Sequence, residues 1–149
     1  MSNNLLKGKK GIIFGALDEK SIAWKTALRA KEEGANFVLT NAPIALRMGT
    51  LNKLSDLTDS KIIPADATSI DDLENLVSET MSLFGGKIDF VLHSIGMSVN
   101  VRKGNLYTQQ KYDWTIKGLD VSALSFHKLM QVLYNCLLYT SDAADDFTS

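Results

Sequence analysis

Gly15 is followed six residues later by Ser21-Ile22-Ala23, and these two features bracket a turn that could do chemistry. Gly15 closes the short apolar run Gly11-Ile12-Ile13-Phe14, and Ser21 opens an amphipathic one. A glycine at the end of a buried strand lets the backbone turn sharply with no Cβ in the way. A helix starting just beyond offers unpaired N–H groups and the positive end of its dipole, which is how α/β proteins hold a phosphate. In that reading Ser21 caps the helix and offers its hydroxyl to a phosphate oxygen. Ile22 contributes a backbone N–H, and Ala23 keeps the helix close to the strand. The same residues also read as a plain strand-to-helix turn with a serine cap, and the turn alone does not choose.

Two further clusters sit after apolar runs. Asp66-Ala67 follows residues 61–65. A carboxylate there can accept a hydrogen bond from an adenine amino group, with Ala67 leaving room for the ring, or it can assist the cap of the helix that starts near Asp71. His93-Ser94-Ile95-Gly96 closes the run over 88–93, and Gly96 lets the backbone pass beside a ribose. His93 and His127 have no Cys or carboxylate at ligand spacing, so no metal site is expected.

The elements that must position these clusters alternate along the chain. Strands are expected over 11–15, 36–40, 61–65 and 88–93. Helices are expected over 21–33, 43–54, 71–84 and about 112–134, with a polar loop over 96–110. Ala23, Ala27 and Ala30 form a small-residue face, and Leu73, Leu76, Val77 and Met81 share one side of their helix. Ser69, with Asp72 three residues on, is close to a capping box. Nearly continuous apolar strands separated by amphipathic helices imply an α/β fold, a Rossmann-like doubly wound parallel sheet. Its ligand would lie beyond the carboxyl ends of the strands, where strand order reverses. The three clusters occupy strands one, three and four in the order a dinucleotide requires.

The bulk numbers agree with one such domain. The 149 residues carry a net charge of −1, with 45% hydrophobic and 22% charged residues. There is no basic stripe to recommend nucleic acid and no apolar run of membrane-spanning length. A single cysteine, Cys136, and an N-terminus without a signal-peptide plan fit a cytoplasmic protein. Residues 136–149 complete no helix and begin no convincing strand. They are expected to be a non-native tail, an adapter or cloning scar, with a frayed native C-terminus as the alternative.

Taken together, Gly15-x5-Ser21-Ile22-Ala23, Asp66-Ala67 and His93-Ser94-Ile95-Gly96 resemble the NADH-dependent enoyl-[acyl-carrier-protein] reductases, a divergent branch of the short-chain dehydrogenase/reductases. Ordinary members of that superfamily carry Gly-x3-Gly-x-Gly at the turn and Asn-x-Ala-Gly after strand four, and this chain has neither. The resemblance runs from about Leu5 to Tyr134. It implies that Gly15, Ser21, Ile22, Asp66, Ala67, Ile95 and Gly96 line the cofactor and that Ser98 contacts the acyl thioester through its backbone. It also implies NADH as cofactor, an enoyl thioester on its acyl carrier protein as substrate, and a homotetramer. In that assembly Leu119, Leu124, Phe126, Leu129 and Met130 would meet a sister subunit. Ala42 stands where some members have a glutamine near the adenosine. Arg47 could reach a 2′-phosphate but reads better as a solvated helix-face residue, so the choice of NADH over NADPH rests on the resemblance alone.

The chemistry itself needs a proton donor and a cation for the enolate left by hydride transfer. The family supplies a tyrosine followed seven positions later by a lysine. Here Tyr107, Tyr112, Tyr134 and Tyr139 are followed at that spacing by Trp114, Leu119, Ser141 and Asp146. Tyr107 and Lys111 have the closer spacing of ordinary short-chain dehydrogenases, but they fall in the loop after the fourth strand and read as loop polarity. Asp120 is a candidate supporting residue near the active centre. The resemblance therefore implies the N-terminal part of a reductase, with no catalytic residue of its own and no turnover alone. The alternatives are another short-chain reductase, acting on a ketone or sugar, and a non-catalytic nucleotide-binding module.

Overall fold

The structure of the chain, a computed structural model, describes residues 3–47 and 49–140, with side chains as far as Cys136. Three parallel strands, β1 (Lys10–Phe14), β2 (Asn36–Thr40) and β3 (Phe90–His93), form a sheet in the order β2-β1-β3. Ile12 of β1 pairs with Val38 on one side and Val91 on the other. Gly11 lies opposite Phe90, and a Cβ at Gly11 would overlap the Phe90 ring.

Residues 61–65, expected as a full strand, form only a single bridge, Ile62 to Leu39. Ile63 N–H donates to Leu39 O at 3.0 Å and Ala65 N–H to Asn41 O at 3.1 Å. Pro64 falls between these two donors, at the position whose N–H would point away from β2, which is where an edge segment tolerates proline. The segment lies outside β2. The chain steps outward twice from β1 and then returns to its other side, which is the strand order of half a Rossmann sheet.

Alternation along the strands sends side chains to both faces. Ile12, Phe14 and Val38 pack with Leu73, Leu76 and Leu129. Ile13, Phe37 and Leu39 pack with Ala23, Trp24 and Ala27. The small-residue face of α1 (Ile22–Glu32) is buried as expected, with Ala23, Ala27 and Ala30 inside. In α4 (Ile70–Phe84) Leu73, Leu76 and Val77 are buried and Met81 is partly so. Ser69 caps this helix, its Oγ accepting from Asp72 N–H at 3.2 Å.

Elsewhere the expected helices are redrawn. The single helix over 43–54 is two, α2 (Pro43–Leu46) and α3 (Thr50–Thr58), with Gly49 between them. The expected loop after β3 contains α5 (Val99–Arg102) and a 3-10 turn, Tyr107–Gln109. The long helix is α6 (Tyr112–Leu119), a five-residue π-turn (Asp120–Leu124) and α7 (Ser125–Thr140) in succession. Contrary to expectation, residues 136–140 are helical, because α7 runs on to Thr140. The rest of the supposed tail, 141–149, lies outside the described residues. Leu129 belongs to the core, whereas Leu119, Leu124, Phe126 and Met130 are about half exposed.

Candidate functional site

The carboxyl ends of the three strands meet at Gly15. Its φ of +85° is open to glycine at no steric cost, and a Cβ there would collide with the carbonyl oxygen of Ser94. Gly15 N–H donates to Thr40 O at 3.3 Å. The end of β1 is thus pressed against the end of β3 and tied to β2.

Between Gly15 and α1 the chain is pinned by neighbours that no local motif singles out. Asn41 Nδ2 donates to Ala16 O at 3.2 Å, and Thr50 Oγ1 to Leu17 O at 2.6 Å. Ser21 does occupy the cap position, but its hydroxyl does not cap α1. Instead it donates to Asp18 O at 2.7 Å and accepts from Leu17 N–H at 3.3 Å. Its job is to shape the loop. The opening N–H groups of α1 therefore receive no side-chain cap, and no acidic residue lies in the first turn to offset the dipole. Ile22, the first residue of the helix, is exposed.

At the second cluster Asp66 is tied to the start of α4. Its Oδ1 accepts from Thr68 N–H at 2.9 Å and Thr68 Oγ1 at 2.7 Å, and its own N–H donates to Asp72 Oδ2 at 2.8 Å. Asp66 is nonetheless exposed, and among the described residues Oδ2 makes no hydrogen bond. The Ala67 methyl is buried in the core with Leu73 and Leu76. A cavity of about 680 Å³ opens beside Asp66 and Thr68 and reaches Tyr112 and Asp120.

The third cluster leaves β3 along the same rim. Ile95 is half-buried against the core, and Gly96 is exposed, with nothing within 4 Å of where a Cβ would stand. That open backbone, the uncapped helix start and the exposed carboxylate are groups that could hold a ribose, a pyrophosphate and an adenine. Ser98 caps α5, its Oγ accepting from Val101 N–H at 3.3 Å and its carbonyl from Arg102 N–H at 3.1 Å. His93 is not a ligand of any metal cluster among the described residues. Its ring lies between Phe14 and Phe126, with Nε2 at 2.8 Å from Ser125 Oγ, and burial pulls its pKa below the ordinary histidine value.

Tyr107 and Lys111 have separate surroundings. Tyr107 is exposed on its 3-10 turn, and the Lys111 ammonium sits 5.2 Å over the Trp114 ring. Ala42 immediately precedes α2, and Arg47 is an exposed residue just past its end. Asp120 pairs with Lys128 at 3.0 Å, and the same ammonium donates to Thr68 O at 2.9 Å. Sequence reasoning misses Lys128 because its partners lie 8 and 60 residues away, beyond any helical spacing rule.

The family model described as Enoyl-(Acyl carrier protein) reductase matches residues 15–143. The chain belongs to this family. It is 28% identical over 127 residues to "Enoyl-[acyl-carrier-protein] reductase [NADH] 2" of Rhizobium meliloti (strain 1021), covering 85% of this chain and 47% of that protein. It is 27% identical over 146 residues to "Enoyl-[acyl-carrier-protein] reductase [NADH] FabI" of Rickettsia felis (strain ATCC VR-1525 / URRWXCal2), covering 97% and 51%. Among solved structures, the FabI-NADH complex from Alistipes finegoldii is 61% identical with a TM-score of 0.85, over 89% of this chain and 47% of that one. The chain spans about half the length of the curated relatives it matches. The family and the Rossmann-like fold expected from the residues both stand. Among the described residues, no helix is long and apolar enough to cross a membrane.

Proposed function

We propose that the chain is the cofactor-binding part of an NADH-dependent enoyl-[acyl-carrier-protein] reductase of fatty acid synthesis. The observation that carries the reading is the meeting of Gly15 and Ser94 at the point where strand order reverses, with Gly96 open beyond it. The start of α1 at Ile22 would hold the pyrophosphate, Asp66 Oδ2 would accept from the adenine amino group, and Ile95-Gly96 would run beside the nicotinamide ribose. Bound NADH supplies the hydride to the β-carbon of the enoyl thioester. This chain binds and orients the donor, and the backbone at Ser98 guides the thioester. The whole protein would act on acyl-carrier-protein-bound substrates as a homotetramer in the cytoplasm, with the half-exposed Leu119, Leu124, Phe126 and Met130 at a subunit contact.

The proton for the enolate is not supplied here, since none of the tyrosines is followed seven positions later by a lysine. The 149-residue chain is therefore expected to bind NADH and leave it unoxidised when an enoyl thioester is added. Fluorescence titration with NADH, followed by absorbance at the nicotinamide band, tests both halves. Absence of NADH binding, or oxidation that depends on the thioester, overturns the reading.

A further inference from the structure

The π-turn and the residue that follows it carry two serines that grip opposite ends of the segment leaving β3. Met97 N–H donates to Ser122 Oγ at 2.9 Å, and Ser122 Oγ lies 3.3 Å from Met97 O as its donor. Three residues on, Ser125 Oγ donates to Val121 O at 2.7 Å. Its single proton is spent there, so His93 Nε2–H is the donor in the 2.8 Å bond to Ser125 Oγ. Residues three apart on a helix share a face, and here that face meets both His93 and Met97. The helix is also close enough that a Cβ on Gly118 would stand 3.2 Å from Met97 O. Ser94, Ile95 and Gly96 hang between the two anchors, with Gly96 facing open space.

We propose that Ser122 and Ser125 are positioning residues that hold the Ser94–Gly96 backbone, through Met97 and His93, in the shape that receives the nicotinamide half of the cofactor. The proposal rests on the NADH-binding reading above. Its physical basis is preorganisation: a three-residue span fixed at both ends loses little further freedom when it takes up a ligand. A π-turn is a frequent device at functional sites because its added residue redirects the side chains that follow. The bland reading is that both serines merely satisfy a helix-to-loop contact. The two readings differ in which half of the cofactor notices their loss.

The test compares NADH with ADP-ribose, which keeps the adenosine and pyrophosphate but lacks the nicotinamide. In the 149-residue chain, Ser122→Ala and His93→Leu are each expected to weaken NADH about tenfold, the order of one hydrogen bond, and to leave ADP-ribose within about twofold. His93→Gln, which keeps a donor near Ser125, is expected to restore most of the NADH affinity. Equal losses for both ligands, or no loss for either, overturn the proposal. Hydrogen exchange without ligand gives an independent reading. Ser122→Ala is expected to expose the Met97 amide while the β3 amides stay protected, and an unchanged Met97 amide also overturns the clamp. If the wild-type chain binds neither ligand, the NADH reading fails, and the exchange result still decides whether the clamp exists.

Discussion

Gly15 and Ser94 are 79 residues apart in sequence, yet the backbone carbonyl of Ser94 occupies the place where a side chain on Gly15 would begin. The contact welds the ends of β1 and β3 at the rim of the site. Gly15→Ala would add both this overlap and a strained positive φ, each costing about 1–3 kcal/mol. The expected loss is about 3 kcal/mol in urea denaturation, together with loss of NADH binding. A variant within about 0.5 kcal/mol of wild type would mean that the strand ends can separate freely.

His93 should make stability depend on pH in a defined window. Burial disfavours its charged form, so the folded pKa lies below the unfolded value of about 6.5. Between the two values the unfolded state binds more protons, and stability falls as pH falls. Glu33 and Asp89 act lower. Leu5 N–H, followed by Asn3 N–H and Arg29, holds the Glu33 carboxyl below its ordinary range, and Lys10 N–H does so for Asp89. Their stabilisation is present above the ordinary carboxylate range and is lost only as pH drops through their lowered values. Unfolding curves for wild type and His93→Gln should therefore diverge as pH falls below about 7, the wild type losing more. Parallel curves would show that His93 does not titrate on unfolding.

Lys128 joins α7 to both Asp120 and the loop behind Asp66. Removing the ammonium by Lys128→Met is expected to cost about 1–2 kcal/mol, chiefly through the Thr68 carbonyl. Asp120→Asn should cost less, because the pair is partly exposed and Lys128 keeps Thr68. The double variant should match Lys128→Met alone, and additive losses in thermal unfolding would contradict the shared network.

Several features are legible in the amino-acid sequence because they are local. The strand ending at Gly15, the buried face of α1 and the Ser69 cap of α4 depend on residues within a turn or two of each other. Other local patterns lose to a nearer competitor. Ser21 is a good cap residue, but Leu17 N–H and Asp18 O take its hydroxyl in place of the helix. Residues 61–65 read as a convincing strand, yet they form only the bridge from Ile62 to Leu39.

The sequence alone determined the alternation of strands and helices, the apolar faces and the three clusters proposed to hold a dinucleotide, since periodicity and glycine placement are properties of neighbouring residues. Only the tertiary structure decided which groups are committed and which are open. Ser21 turned into its own loop, the Ala67 methyl entered the core, Asp66 kept one free oxygen, and Ser122, Ser125 and Lys128 joined the site. Hydrogen-bonding capacity is assigned by proximity in space, and the partners that Ser122, Ser125 and Lys128 find there lie 25, 32 and 60 residues away, at separations that no spacing rule anticipates.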